Sequence, residues 1–357
     1  MNNAFTAELH QVLLRLAGWL PDDVLARARS LLAHDRCAEV ARLLAFAGRR
    51  SVLPLGEDDL DALAELLESE GHDPAVLEAI ELIPENPPLP WQFSPDWGET
   101  GDDGNDEGAD NAMLISALAE QDFLAELTEK PGVRGVWSTV RRPDGDVPFP
   151  KPRVIYVVEI DDEVDDVDEP VALAAQLQDT LIAAGERDPQ VEIVSMHVVR
   201  PRYQRTAQMQ GKLLWSPHGD AEIKVARVFD EVDPENGPRF ASDHETMDDE
   251  DERTWILEYL DSGIELLVTT GTMGDIVDPA QGSVVPMNFR TDGVWVWTDT
   301  VTYYLETHHL APDSELLEHI RAAGGLPSSL DTVTLGRAVA ALSPAQGRQP
   351  VWTASGS

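Results

Sequence analysis

The sequence has 357 residues, 42% of them apolar, and a formal net charge of −40 that comes from 66 acidic and 26 basic side chains. This apolar fraction supports a packed core and excludes a chain that is disordered throughout. The charge repels nucleic-acid phosphates and anionic lipid and attracts basic proteins, so we expect a basic protein partner, no nucleic acid and no membrane.

The length of the chain, its N-terminal residues and its cysteine content predict the number of domains and the cellular compartment. A chain of this length favours two domains. No stretch approaches the ~20 apolar residues of a membrane span, and the first residues lack the basic start and cleavage site of a signal peptide. The single cysteine, Cys37, cannot form a disulfide within the chain. Together these features predict a cytoplasmic protein.

Residues 1–83 have the pattern of consecutive helices. Apolar side chains recur at spacings of three and four at Leu9, Val12, Leu13, Leu16 and Leu20. Gly48 and Gly71 follow later helical segments, where glycine often ends a helix. Short connections between such segments place helices antiparallel, so the region is predicted to be a small helical bundle.

Residues 84–111 differ in composition from the helical region before them. The stretch PENPPLPWQFSPDWGETGDDGNDEGADN carries eight acids and no lysine or arginine, a composition that cannot bury a core and predicts an acidic, proline-rich linker. Trp91, Phe93 and Trp97 are unusual in a spacer. They either dock the linker onto a neighbouring domain or form a short motif for a partner.

Residues 112–325 mix strand and helix periods. RVIYVVEI and QVEIVSMHV are typical of strands, and EPVALAAQLQDTLIAAG between them is typical of a helix. The predicted fold class is α+β, in which the N-terminal helical bundle is joined by the linker to a mixed α/β sheet domain with antiparallel C-terminal strands. Residues 326–357 are predicted to be a partly disordered tail with one more helix near LGRAVAAL.

The dipeptide Asp292-Gly293 lies between two strand-like runs and predicts an antiparallel hairpin. Alternation along the second strand places Trp295 and Trp297 on one face. Two interpretations remain open for this region. The tryptophans either pack in the core, or they join Tyr303 and His308 in an exposed aromatic patch that binds a partner.

The acidic run DDEVDDVDE covers residues 161–169. It lacks the glycine at position six and the glutamate at position twelve of a calcium-binding loop, so a surface cation site is only an alternative, and no metal or cofactor is predicted. We expect Asp161, Asp162, Asp165 and Asp166 to steer a basic partner toward the protein.

Motifs of known catalytic sites are absent. The sequence contains no HExxH, GxGxxG, GxxxxGK[ST] or GxSxG pattern, and TTGTMGD at residues 269–275 is interpreted as a tight turn. His218, Asp220 and His244 are predicted to lie in loops near acids, where a histidine can act as a general base. An enzyme that uses these side chains is therefore the alternative to a binding protein.

Two segments carry a resemblance to other proteins. LRLAGWLPDDVLARARSLL, together with the stretch from VARVFDEVDPENGPRF to LLEHIRA, resembles a group of uncharacterised actinobacterial proteins. The TDGVWVW motif, followed by a helix with Tyr-Tyr and a Pro-Asp helix start, is similar to small acidic immunity proteins of bacterial toxin systems. The resemblance implies a partner-binding role and brings no catalytic residues.

These features predict a non-enzymatic, acidic binding protein of the immunity or antitoxin kind, which occludes a basic protein partner such as a toxin. The alternatives are the enzyme described above and a two-domain scaffold in which each domain binds a different protein.

Overall fold

The computed structural model describes residues 3–49, 52–83, 88–96, 119–145, 151–167, 169–217, 223–233 and 235–342. Helices combine with sheets of mixed direction, which confirms the α+β class. The chain divides into two compact units, Met1–Pro217 and His218–Ser357. This division differs from the predicted boundaries after residues 83, 111 and 325.

The first unit begins with the predicted series of helices. Its helices are α1 (Asn3–Leu16), α2 (Asp22–Ala33), α3 (Cys37–Gly48), α4 (Glu57–Ser69), α5 (described over residues 119–127), α6 (Pro170–Ala183) and α7 (Arg202–Met209). Leu9, Val12, Leu13, Leu16 and Leu20 are all 4% exposed or less, so the three-and-four spacing does mark the buried side of this region. A short parallel pair, β1 (Val52–Leu53) and β2 (Glu81–Leu82), flanks α4.

A five-stranded sheet lies in the same unit. Its strands are β3 (Trp91–Ser94), β4 (Val133–Pro143), β5 (Arg153–Ile160), β6 (Gln190–Ser195) and β7 (Lys212–Trp215). The order is β3-β4-β5-β6, with β7 paired to β4. Among these five described strands, β5 and β6 pair in parallel and the others pair antiparallel. Helix α6 connects β5 to β6. Apolar side chains of α5 and α6 pack with those of β4, β5 and β6 in one core.

Buried polar contacts join the N-terminal helices to this sheet. Nε2 of His10 on α1 lies 2.9 Å from the carbonyl oxygen of Ile193 on β6. Arg29 on α2 forms an ion pair of 2.5 Å with Glu192, and their side chains are 2% and 0% exposed. Gln204 on α7 donates to the carbonyl of Leu14 at 2.8 Å. These contacts explain why the helices and the sheet form one unit.

The aromatic residues of the predicted linker dock on the same unit. Trp91 donates from its indole nitrogen to the carbonyl of Gly18 at 2.6 Å, and the guanidinium of Arg141 lies 4.1 Å from its ring centre. Phe93 meets Tyr203 edge to face, with ring centres 5.3 Å apart. Docking is therefore confirmed for Trp91 and Phe93, which lie in strand β3, whereas Trp97 lies outside the described residues.

The second unit is built from short strands and four described helices. Its strands are β8 (Lys224–Val225), β9 (Glu231–Asp233), β10 (Gly237–Arg239), β11 (Ile264–Leu267), β12 (Thr272–Gly274), β13 (Ser283–Pro286), β14 (Phe289–Thr291) and β15 (Trp295–Thr298). Its helices are α8 (Glu250–Ser262), α9 (Asp299–His308), α10 (Ser314–Ala323) and α11 (Thr332–Leu342). The main sheet has the order β11-β14-β15-β8.

The C-terminal hairpin forms where the sequence predicts it. Strands β14 and β15 pair antiparallel across Asp292 and Gly293, and Gly293 adopts a φ of 91°. The expected helix near LGRAVAAL is α11, and the remaining tail beyond residue 342 lies outside the described residues. In the part of the chain that the structure covers, no helix is long and apolar enough to cross a membrane.

Candidate functional site

The parallel pair β5 and β6 places acidic and imidazole side chains at one sheet edge. Ile160, the last residue of β5, is in register with Ser195, the last residue of β6. Asp161 and Asp162 follow the first strand directly, and His197 follows the second after one intervening residue. The carboxyl ends of parallel strands commonly carry binding sites in proteins that contain β-α-β connections.

The segment after β5, residues 161–167, is called the acidic loop below, and hydrogen bonds fix its course. The amide of Asp161 donates to the carbonyl of Gly132 at 2.8 Å. Ser195 donates from its hydroxyl to Asp162 at 2.6 Å. The amide of Glu163 donates to the carboxylate of Asp161 at 3.2 Å. The loop is therefore held in a defined shape although its side chains are largely exposed.

Gly132 allows the acidic loop to approach the sheet closely. Its φ is +76°, and a Cβ atom added there would lie 2.6 Å from the side chain of Val167 and 2.9 Å from the carbonyl oxygen of Asp161. Both conditions favour glycine, because other residues rarely adopt this φ and no side chain fits the space. The position of the loop thus depends on a residue about thirty positions earlier in the chain.

His197 and Asp161 form the polar contact at the centre of this edge. Nε2 of His197 lies 2.9 Å from Oδ1 of Asp161 and 3.9 Å from a carboxylate oxygen of Glu163. The hydrogen bond lowers the pKa of the Asp161 carboxyl and raises the pKa of the His197 imidazole. Both shifts favour the charged forms, so the contact is strongest when the histidine is protonated.

Three of these side chains also have the spacing of a cation site. Donor atoms of Asp161, Asp162 and His197 all lie within 4.8 Å of one another. Two carboxylates and an imidazole suit several divalent metals. A metal would have to displace the His197 proton and the hydrogen bond to Asp161, because an imidazole binds metal in its neutral form.

Two further aspartates give the acidic loop its outward charge. Asp165 and Asp166 are exposed, and neither forms an ion pair or hydrogen bond with any residue that the structure describes. Asp166 adopts a φ of 63°, which aspartate tolerates better than most residues. The four aspartates expected to steer a partner therefore lie on one loop, and two of them are free to meet positive charge from outside.

No protein-family model, curated protein or solved structure matches this chain. The resemblance to immunity proteins therefore stays a prediction.

The two tryptophans do not form the expected exposed patch. Trp295 is 5% exposed and Trp297 is fully buried. Both pack in a core cluster with α8, α9 and α10. The indole nitrogen of Trp297 donates to the carbonyl of Leu260 at 3.2 Å. A partner cannot reach these rings, because helices cover the face of the strand that carries them; the core interpretation of the sequence is the correct one.

Tyr303 and His308, the other two residues of the expected patch, form hydrogen bonds with a buried carboxylate. Asp275 is 2% exposed and accepts hydrogen bonds from Nε2 of His308 at 2.6 Å and from the Tyr303 hydroxyl at 3.0 Å. Its second oxygen accepts from the amides of Val277 and Asp278. Burial raises the pKa of Asp275, but these hydrogen bonds outweigh it and lower the pKa to about 2. The cluster holds a loop against helix α9.

Asp292 repeats this arrangement in the hairpin. One of its oxygens accepts from the Tyr259 hydroxyl at 2.7 Å and from Nε2 of His319 at 2.6 Å. The other accepts from the amides of Val294 and Trp295 at 2.8 and 2.7 Å. Burial, together with the hydrogen bond to Asp292, raises the pKa of the Tyr259 hydroxyl. These contacts tie the hairpin turn to helices α8 and α10.

His244, the described member of the alternative catalytic set, has both ring nitrogens engaged. Nδ1 lies 2.8 Å from Asp230, and Nε2 lies 3.0 Å from the carbonyl oxygen of Ala311. A general base needs a free nitrogen that can reach a substrate, and this imidazole has none. His218 and Asp220 lie outside the described residues, so His244 is the one member of the predicted set whose contacts are described.

Sequence reasoning missed His197, Asp275 and Asp292 as members of polar clusters. One signal pointed to His197: it follows a strand that a helical crossover connects to the strand before the acidic run. Asp275 directly follows strand β12, which forms inside the TTGTMGD segment, so the prediction of a tight turn there was wrong. Asp292 belongs to the Asp-Gly hairpin signal. Turn chemistry predicts their backbone contacts, whereas their histidine and tyrosine partners are remote in sequence.

Proposed function

We propose that this protein is a non-enzymatic, acidic binding protein that occludes a basic protein partner, in the manner of an immunity or antitoxin protein. The observation that supports this most is the acidic loop. It is fixed by hydrogen bonds at the carboxyl ends of β5 and β6, and it presents Asp165 and Asp166 without internal partners among the described residues.

Electrostatics favours a basic partner at this loop. A net charge of −40 attracts positive proteins over long distances. Carboxylates on a fixed backbone then meet lysine or arginine with little additional loss of conformational entropy. Such contacts raise association rates more than they raise affinity, and they weaken as salt is added. The proposed mechanism is therefore steering by charge followed by steric occlusion.

The cellular setting is part of the same proposal. Cys37 is a free, half-buried thiol, which suits a reducing compartment such as the cytoplasm. A toxin that acts on phosphates or nucleic acid carries a basic surface, and occluding that surface needs an acidic protein of defined shape.

The test compares loop variants in the capture of partners from a native lysate. The loop variant carries Asp165→Asn and Asp166→Asn, since asparagine also tolerates the positive φ at position 166. The matched control carries Asp61→Asn and Glu65→Gln, exposed acids of α4 that change the net charge by the same amount. Wild type and control should capture the same protein of basic isoelectric point, and capture should weaken with salt.

The loop variant should lose at least about tenfold in association rate with the captured protein at low salt. Failure to find a specific partner at low and moderate salt would count against the proposal. Equal binding by the loop variant and the wild type would show that the partner does not contact the acidic loop.

A further inference from the structure

A groove on the N-terminal helices has a charge opposite to that of the chain as a whole. It is an open surface groove between α2 and α3 with a volume of about 470 Å³. Arginine and apolar side chains line it, among them Arg27, Leu31, Arg42, Leu43, Phe46 and Arg49. A cleft of this size with an apolar floor and a few charged groups is typical of binding sites.

The arginines of this groove have no internal role in the described structure. Arg27, Arg42 and Arg49 are exposed, and within the described ranges none of them forms an ion pair or hydrogen bond. Glu39, the one acid that lines the groove, is already paired with Arg36. Three guanidinium groups are therefore available in a molecule with 66 acids that could have neutralised them.

Phe46 adds an apolar contact at the centre of this surface. Its side chain is 68% exposed, although phenylalanine normally finds cover in a folded protein. Phe46 lies four residues after Arg42 and three before Arg49. Arg49 directly follows α3 and keeps helical backbone angles, so all three side chains project from the same side of the helix. An aromatic ring between two arginines is a common composition for the centre of a protein interface.

The spacing of the arginines favours an extended ligand. Arg42 and Arg49 are seven residues apart, which is two helical turns or ~10 Å along the axis. A small anion with a single acidic group does not span this distance. Two carboxylates seven residues apart on a second helix have the same separation, and apolar side chains between them would cover Phe46, Leu31 and Leu43.

We propose that this groove binds an acidic, amphipathic helix of a partner protein. The binding mode is a helix laid in a groove, with its apolar face on α2 and α3 and its carboxylates on the three arginines. A polyanion or an anionic membrane is disfavoured, because either would bring a large negative field against a chain of net charge −40. This second site is separate from the acidic loop and has the opposite preference for charge.

The test uses a display library of amphipathic helices that are about 18 residues long. Leucine is fixed at the apolar positions, and glutamate, glutamine or lysine is allowed at the positions that flank them. Selection on the full-length protein should enrich glutamates seven residues apart. The best peptide should bind the Arg42→Glu/Arg49→Glu variant at least about tenfold more weakly, and Phe46→Ala should also weaken it severalfold.

Matched controls are available in the same unit. Arg205→Glu reverses an exposed arginine outside the groove, and Met209→Ala removes an apolar side chain that is 73% exposed. Both should leave peptide binding unchanged, as should Asp165→Asn/Asp166→Asn, which separates this site from the acidic loop.

Several results would overturn the proposal. These are a selection that enriches lysine or glutamine, a selected peptide that binds the arginine variant as tightly as the wild type, and no enrichment at all. Binding of dodecanoate or of phosphatidylserine vesicles that depends on Arg42 and Arg49, and that the selected peptide does not displace, would assign the groove to a lipid instead.

Discussion

Nε2 of His319 lies 2.6 Å from Oδ2 of Asp292, and this hydrogen bond ties the turn of the β14–β15 hairpin to helix α10. The same carboxylate also accepts from the Tyr259 hydroxyl and from two backbone amides of the turn. A single nearly buried side chain thus connects three segments of the second unit.

Replacing this carboxylate should destabilise the second unit. Asp292→Ala leaves Tyr259 and two amides without an acceptor, and we expect a loss of about 3 kcal/mol in the free energy of unfolding. Urea denaturation followed by tryptophan fluorescence measures the change. Asp243→Ala is the control, since Asp243 is exposed and has no partner in the described structure. A loss no larger than that of the control would show that the cluster contributes little.

Asp275 predicts a dependence of stability on acid pH. Its folded pKa of about 2 lies below that of a free aspartate, so its contribution is present above about pH 4 and is lost as the pH falls toward 2. Asp275→Asn should remove about 2 kcal/mol at neutral pH. The difference between wild type and variant should shrink as the pH is lowered from 4 to 2. Urea denaturation at several pH values measures it, and a constant difference would contradict the assignment.

His10 predicts that stability also depends on pH in a second range, nearer to neutral. Burial lowers the pKa of its imidazole to about 4, so folding favours the neutral ring. Its contribution is present above about pH 6.5 and is lost as the pH falls toward 4. His10→Gln keeps a donor for the carbonyl of Ile193 and removes the titrating group. The variant should therefore lose less stability than the wild type between pH 6.5 and 4, by about 3 kcal/mol at the lower value.

An exposed histidine, His34, provides the control for the His10→Gln experiment. His34→Gln removes an exposed imidazole whose hydrogen bond within the described residues is to a backbone carbonyl of its own helical region, and the pH profile of the variant should match that of the wild type. If both variants change the profile equally, the buried environment of His10 is not the cause.

Gly132→Ala tests how closely the acidic loop must approach the sheet. The new methyl group would meet Val167 and the carbonyl of Asp161 in addition to the unfavourable φ, and we expect a loss of about 3 kcal/mol. Gly145→Ala is the matched control, because Gly145 has a φ of +85° and no atom within 4 Å of the added Cβ. It should cost about 1 kcal/mol from backbone strain alone. Thermal unfolding compares the two variants, and similar losses would show that the close approach is unimportant.

Arg29→Met tests whether the N-terminal helices and the sheet unfold together. The variant leaves Glu192 buried without its cationic partner, which typically costs about 3 to 5 kcal/mol. Arg27→Met changes an exposed arginine of the same helix and should have little effect on stability. Hydrogen exchange should show faster exchange in both α2 and β6 of the Arg29 variant. Faster exchange in the helix alone would indicate that the two parts unfold independently.

Local patterns predicted much of the fold. The spacing of leucines in α1, the hairpin at Asp292 and Gly293, and the strand and helix around α6 all follow from interactions between near neighbours in the chain. Such signals are short-range, and one sequence is enough to read them.

Contacts between distant residues were not predictable in the same way. His10 and Ile193 are 183 residues apart, and nothing in either segment indicates the other. Alternation showed that Trp295 and Trp297 share a face, but it did not show that helices α8 to α10 cover that face. The unit boundary after Pro217 differs from the predicted boundaries, since it depends on which segments pack together and not on the composition of any one of them.

The imidazole of His10 has one more consequence for the molecule. Strand β6 ends the order of its sheet, and an open strand of this kind is a template on which other chains can add and aggregate. His10 occupies a carbonyl of β6, and Arg29 holds its neighbour Glu192. The first helices therefore cover part of this edge, and removing them would leave the Ile193 carbonyl and the buried Glu192 carboxylate without these partners and would expose β6 to pairing with another chain.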